Sequence, residues 1–252
     1  MSITINPNLV TRSITVDAQC FLAAWQFIDT DASRHYLRGV LIEKHPEGGA
    51  LLVATNGHIM AVIHDKSASV AGDTGWTCLV PIAIRAALGK KNAHQLHFVD
   101  NTAFVTTKDW AEIYNDANRG SQTPAIVTEC HTAIAWAPPI DCTPLSWRRT
   151  LPKLSTDRTG EIPLSGKYIG RITKAAKILS PEADKDLHFF TPPTPHSPVI
   201  VRTEKDDRFF ALIMPVKSRD NNMAYPAWLP APASAQAAAA NDSTMDKTET
   251  AA

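Results

Sequence analysis

The chain has 252 residues, 44% of them hydrophobic and 20% charged, with a formal net charge of zero. That composition supports a folded core and excludes a chain disordered throughout. The charge balance excludes a protein that is basic overall, so any contact with nucleic acid must come from a local surface.

The four cysteines, Cys20, Cys78, Cys130 and Cys142, form neither a CxxC pair nor the Cys/His spacing of a structural zinc site. The first residues lack an apolar signal region, and no run of about 18 apolar residues is present to span a bilayer. The expectation is a cytoplasmic protein without cofactor, metal or membrane.

In chain order, Asp17 is placed to cap a helix reaching Ile28, whose Phe21, Trp25 and Ile28 form an apolar stripe that predicts one buried face. Strands follow at Tyr36 to Glu43, Ala50 to Thr55 and His58 to Asp65. Gly48-Gly49 and Asn56-Gly57 separate them, and the Asn-Gly pair predicts a type I′ hairpin turn. The plan then recurs: Trp76 to Val80 as a strand, Pro81 as the first residue of a helix, Leu96 to Val99, an Asp100-Asn101 turn, and Ala103 to Thr107. The proline-rich stretch from Gln122 to Pro163 gives no clear pattern. A third helix, Gly166 to Leu179, leads into strands Leu187 to Phe190, Val199 to Thr203 and Arg208 to Pro215, and Leu-His-Phe stands after both the second and third helices. Residues 218–252, of low complexity from about Ala231, predict a disordered tail, which keeps an apolar cluster at Tyr225 to Leu229 that would fit an apolar pocket.

Two blocks, Arg34-His35-Tyr36-Leu37-Arg38-Gly39-Val40-Leu41 and Leu52-Val53-Ala54-Thr55-Asn56-Gly57-His58, resemble the middle domain of the bacterial DNA polymerase III beta sliding clamp family. Trp147 to Pro152 resembles the segment joining that family's middle and last domains, and Ile213 to Lys217 resembles its C-terminal ending. The blocks keep the family's order. The resemblance implies an α+β, DNA-clamp-like fold, in which repeated helix-plus-antiparallel-strand units form curved sheets with helices on one face. It implies a complete clamp-like domain over 10–135, a partial second one over 140–217, and no enzymatic activity.

It also implies a partner-peptide pocket built from Thr55, Gly57, His58, Ile59, Met60, Arg149, Thr150, Pro198, Leu212, Met214, Pro215 and Val216. Such a pocket would receive clamp-binding motifs of DNA polymerase or repair proteins. Three positions depart from the family pattern: Ile59 for an arginine, Asn56 for an aspartate, and Thr150 where an aliphatic residue is common.

In the third helix Lys167, Arg171, Lys174 and Lys177 share one face opposite Tyr168, Ile169, Ile172, Ala175, Ala176 and Leu179. With Arg85, Lys90 and Lys91 they form the surface that the resemblance implies for double-stranded DNA, held through phosphates without reading sequence; without it they read as a solvated polar face. No phosphate-cradling GxxxxGK[ST], GxGxxG, GxSxG or HExxH occurs, and His94 with His97 reads as a pair of surface residues. Two readings stay open. One is a homo-oligomeric clamp that encircles DNA, four chains by counting helix units. The other is an adaptor or decoy that binds replication proteins without forming a ring.

Overall fold

A computed structural model describes residues 3–5, 12–71, 76–107, 125–127, 131–143, 145–152, 162–180, 186–192, 194, 196–204 and 206–217. The expected tail over 218–252, with its apolar cluster, lies outside the described residues. All strand pairs are antiparallel. They begin with β1 (Ile3–Ile5) and β2 (Ser13–Asp17), followed by the helix α1 (Ala18–Ala24) and a 3₁₀ turn over Trp25–Phe27.

A second 3₁₀ segment, Ala32–Leu37, precedes β3 (Val40–Lys44), β4 (Ala50–Thr55), β5 (Ile59–Asp65), β6 (Ser69–Ala71) and β7 (Trp76–Cys78). Then come α2 (Ile82–Leu88), β8 (Gln95–Val99), β9 (Thr102–Thr106), β10 (Ala125–Val127) and β11 (His131–Trp136). A 3₁₀ turn at Trp147–Thr150 leads to α3 (Gly166–Leu179), β12 (Leu187–Phe190), β13 (Val199–Thr203) and β14 (Phe209–Ile213).

The strands form a seven-stranded sheet in the order β12-β13-β14-β5-β4-β3-β7, a five-stranded sheet in the order β11-β9-β8-β2-β6, and the pair β1-β10. The larger sheet joins early and late sequence through one ladder, in which Ile59 to Ile63 pair with Ile213 to Phe209. On β5 successive side chains alternate between two buried faces. Ile59, Ala61 and Ile63 enter a core with α1 and α3, while Met60 and Val62 enter a second cluster with Leu41, Val53, Trp147, Ile200 and Leu212. Burial on both sides explains why this strand is apolar at five consecutive positions.

Asp17 caps α1 as its sequence position suggested, its Oδ1 accepting from the N–H groups of Gln19 and Cys20. Asp65 Oδ2 in turn accepts from the Asp17 N–H at 2.6 Å, which pins the end of β5 to the start of the helix. Gly49, at φ +74°, lies where a Cβ would collide with the Asp65 carbonyl oxygen, so only glycine closes the β3–β4 turn this tightly.

Several expectations are corrected. α1 is not buried on one face only: Ala18, Cys20, Phe21, Ala23 and Ala24 are all enclosed, because α3 and both large sheets touch it. Tyr36 is not in a strand, and half of it is exposed in the 3₁₀ segment before β3. The Asn56-Gly57 turn is not type I′, since Gly57 has φ +85° while Asn56 does not have a positive φ. Instead the buried Asn56 side chain accepts from the N–H groups of His58 and Ile59, and β5 starts one residue late. Pro81 is the N-cap of α2 and not its first residue. The unpatterned stretch contains β11.

His97 is not a surface residue. It is 1% exposed on β8, with Nδ1 3.0 Å from Thr15 Oγ1 and Nε2 2.9 Å from Thr106 Oγ1, and its ring stacks on Phe104. Burial, and then the neighbouring His94, lower its pKa to about 3, so the imidazole stays neutral.

Candidate docking pocket and basic helix face

An apolar depression of about 260 Å³ opens over the second cluster. One wall is the tip between β4 and β5. There Thr55 Oγ1 donates to the Ile59 carbonyl at 2.8 Å and accepts from the Gly57 N–H at 3.0 Å, which holds His58 outward. The His58 carbonyl accepts from the Met214 N–H at 2.8 Å, continuing the β5–β14 ladder and setting Met214 on the opposite rim.

A second wall comes from the segment before α3. Glu43 Oε2 accepts from Trp147 Nε1 at 3.2 Å and lies 2.9 Å from Arg148 Nη1, while the Arg148 guanidinium stands 4.3 Å over the indole. Thr150 Oγ1 donates to the Trp147 carbonyl at 2.7 Å and lies 3.6 Å from Met60 Sδ. A short segment without regular strand or long helix is thereby fixed as a wall.

Of the residues expected here, Thr55, Gly57, His58, Ile59, Met60, Thr150, Pro198, Leu212 and Met214 line this one depression. Arg149, Pro215 and Val216 do not line it. Arg149 points into solvent, and the Val216 N–H donates to the Pro163 carbonyl at 2.9 Å, turning the chain toward the start of α3. Tyr36, Leu37, Leu145 and Trp147 complete the lining and were not expected. Trp147 belonged to the block that resembles the family's joining segment but was not assigned to the pocket, and Leu145 stands two residues before it.

On α3, Lys167, Lys174 and Lys177 are exposed, while Ile172, Ala175 and Ala176 are buried against the core that contains α1. Arg171 departs from the expected stripe. Its guanidinium donates to the Gln26 carbonyl through Nε and to the Ile28 carbonyl at 2.8 Å through Nη2, satisfying backbone acceptors in and just after the 3₁₀ turn that follows α1. Burial lowers its pKa below the usual arginine value, partly countered by Tyr168 and Asp29. Arg85 is exposed on α2, and Lys90 and Lys91 are exposed in the turn after it.

The cysteine thiols at 20 and 78 are held protonated by burial above all. Among the described residues no three His, Cys, Asp or Glu side chains are grouped to hold a metal ion, and no helix is long and apolar enough to cross a membrane.

No family model and no curated protein matches the chain. Solved structures do. A sliding clamp, DNA polymerase III subunit beta, from Bartonella birtlesii is 15% identical with a TM-score of 0.55, covering 84% of this chain and 68% of that one. The DNA polymerase III subunit beta from Pseudomonas aeruginosa is 11% identical with a TM-score of 0.53, covering 86% and 69%. A beta sliding clamp from C. crescentus is 15% identical with a TM-score of 0.51, covering 86% and 68%. The chain thus spans about two thirds of the length of each of these proteins. At this level of identity the likeness lies in the path of the backbone, and the chain has the fold of the bacterial DNA polymerase III beta sliding clamps.

Proposed function

We propose that this protein is a clamp-like replication accessory factor, not an enzyme, that docks short linear motifs of polymerases or repair proteins in the pocket over Met60 and Leu212. The observation that carries the reading is convergence. Residues from the 3₁₀ segment, the β4–β5 tip, the 145–150 wall, the start of β13 and the end of β14 close around one apolar depression. Methionine, leucine and tryptophan walls give adaptable apolar area for a side-chain anchor, and His58 and Thr150 add polar groups at the rim.

Lys167, Lys174, Lys177, Arg85, Lys90 and Lys91 are the proposed contacts to duplex DNA, acting through phosphates and therefore insensitive to sequence. In this reading residues 10–135 are one clamp-like unit and 140–217 part of a second, the two sharing the sheet where β5 meets β14. A subunit of this length would enclose DNA as a homo-oligomer.

The alternative is an adaptor or decoy that keeps the pocket without forming a ring. It is favoured by the withdrawal of Arg171 onto the Gln26 and Ile28 carbonyls and by the absence of any basic residue on α1. The deciding experiment measures mass in solution together with retention on circular and on linearised DNA. Retention on circles that disappears on linearisation supports the clamp, and a monomer never retained on circles supports the adaptor.

A further inference from the structure

A second depression, of about 740 Å³, opens between the end of α1, the entry to α2 and the segment 136–140. Its lining includes Arg38, Arg85, Ile82, Trp25 and Trp136, and it shares none of its lining residues with the docking pocket. Trp136 is 68% exposed and Ile82 75% exposed, so the depression presents two large apolar groups to an incoming ligand. The wall beside Trp136 is fixed in place. The Ala137 N–H donates to the Asn101 carbonyl at 2.8 Å, the Ile140 N–H to the Thr77 carbonyl at 2.8 Å, and Pro139 bridges Cys78.

The charge that the depression offers is positive. Asp29, its one carboxylate among the described residues, lies 3.6 Å from Arg34 and accepts from the Asp31 N–H, and Arg171 is spent on the Gln26 and Ile28 carbonyls. Among the described residues no carboxylate pairs with Arg38 or Arg85. Three lining residues, Pro81, Pro138 and Pro139, have no N–H, so an extended peptide would find few donors for strand addition. An exposed indole and two guanidinium groups lining one depression match instead an unstacked base with its neighbouring phosphates. Duplex DNA keeps its base faces stacked and offers none to the indole.

We propose that this cleft binds single-stranded DNA, with a base stacked on Trp136 and the flanking phosphates held by Arg38 and Arg85. The site is separate from the lysine face of α3 and from the peptide pocket, and it shares only Arg85 with the surface proposed for the duplex. It would let the protein hold an unpaired strand next to the surface proposed for the duplex.

The test uses the full chain, a 20-nucleotide oligothymidylate and, in parallel, a 20-base-pair duplex. Fluorescence anisotropy and quenching of tryptophan emission report binding, and sedimentation reports mass. Wild type should bind the oligothymidylate with quenching. Trp136→Ala should weaken that binding by roughly 5- to 100-fold. Trp136→Phe should keep much of it, and Arg38→Ala should weaken it and reduce its salt dependence.

Duplex affinity should not change in Trp136→Ala. Failure of wild type to bind the duplex, with oligothymidylate binding intact, would break the clamp reading and leave this one standing. Three results overturn the proposal: no oligothymidylate binding by wild type at low salt, equal binding by Trp136→Ala and wild type, or a change of mass in Trp136→Ala without change in affinity. The last would assign the cleft to a second copy of the chain. If Trp136→Ala unfolds, Trp136→Phe and Arg38→Ala decide by the same criteria.

Discussion

The imidazole of His58 stacks on the ring of Tyr168, with centroids 5.5 Å apart and planes inclined by 18°. The pair joins the rim of the docking pocket to α3, the helix that carries the exposed lysines. An aromatic contact of this kind contributes about 0.5–1.5 kcal/mol beyond the area it buries. Tyr168→Ala should therefore weaken binding of a clamp-motif peptide by roughly two- to tenfold, and Tyr168→Phe should restore it, as followed by fluorescence anisotropy. Equal affinities for all three proteins would show that the stack does not position His58.

Met214 and Ile59 separate binding from folding. Met214 is 37% exposed on the rim, whereas Ile59 is 2% exposed and packs into the core shared with α1 and α3. Met214→Asp should cost a clamp-motif peptide at least about 2 kcal/mol of affinity while the melting temperature stays near that of wild type. Ile59→Asp should unfold the protein, because it buries a charge without a partner. Calorimetric melting beside a peptide titration checks both, and a folded, peptide-binding Ile59→Asp would contradict the assignment of faces on β5.

Arg171 and Lys174 should behave as opposites. Arg171→Ala leaves the Gln26 and Ile28 carbonyls without their donor and should cost about 1–3 kcal/mol of stability in urea unfolding. Lys174→Glu should leave stability nearly unchanged, weaken duplex binding and lower its salt slope by about 0.9 for each phosphate that is no longer neutralised. A Lys174→Glu protein with wild-type salt dependence would remove this lysine from the proposed DNA surface.

How much of this was legible in the sequence depended on where the information sat. The strands at 50–55, 187–190 and 199–203 and the helix at 166–179 emerged at the expected residues. Glycine turns and amphipathic spacing are local signals. The Asn56-Gly57 turn was misread because Asn56 acts through its side-chain oxygen, a choice that composition does not reveal. Arg171 looked like its lysine neighbours, since spacing cannot report that the Gln26 and Ile28 carbonyls wait beside it. Trp147 is held as a pocket wall by Glu43 on a distant strand, and Leu145 packs with it against the second cluster, contacts that local sequence does not report.

The buried His97 gives the protein a dependence on acid. With its pKa lowered from 6.5 to about 3, mainly by burial, the folded state resists a proton that the unfolded state accepts. Its contribution is complete above about pH 6.5 and declines as the pH falls toward 3, by up to about 1.4 kcal/mol per pH unit. Urea midpoints at pH 7 and pH 5 should show this decline in wild type and a smaller one in His97→Gln. The same decline in both proteins would assign the acid sensitivity to other groups.

The ladder between β5 and β14 also governs how the chain reaches this state. Residues 59–63 meet residues 209–213, so during synthesis an apolar strand buried on both faces stands with one edge open until nearly all the described chain has left the ribosome. Loop closure over that span is slow compared with the local hairpin of β4 and β5. Nascent chains of this protein should therefore depend on a holding chaperone, and a version split within 153–160 should pair in trans through the same edge.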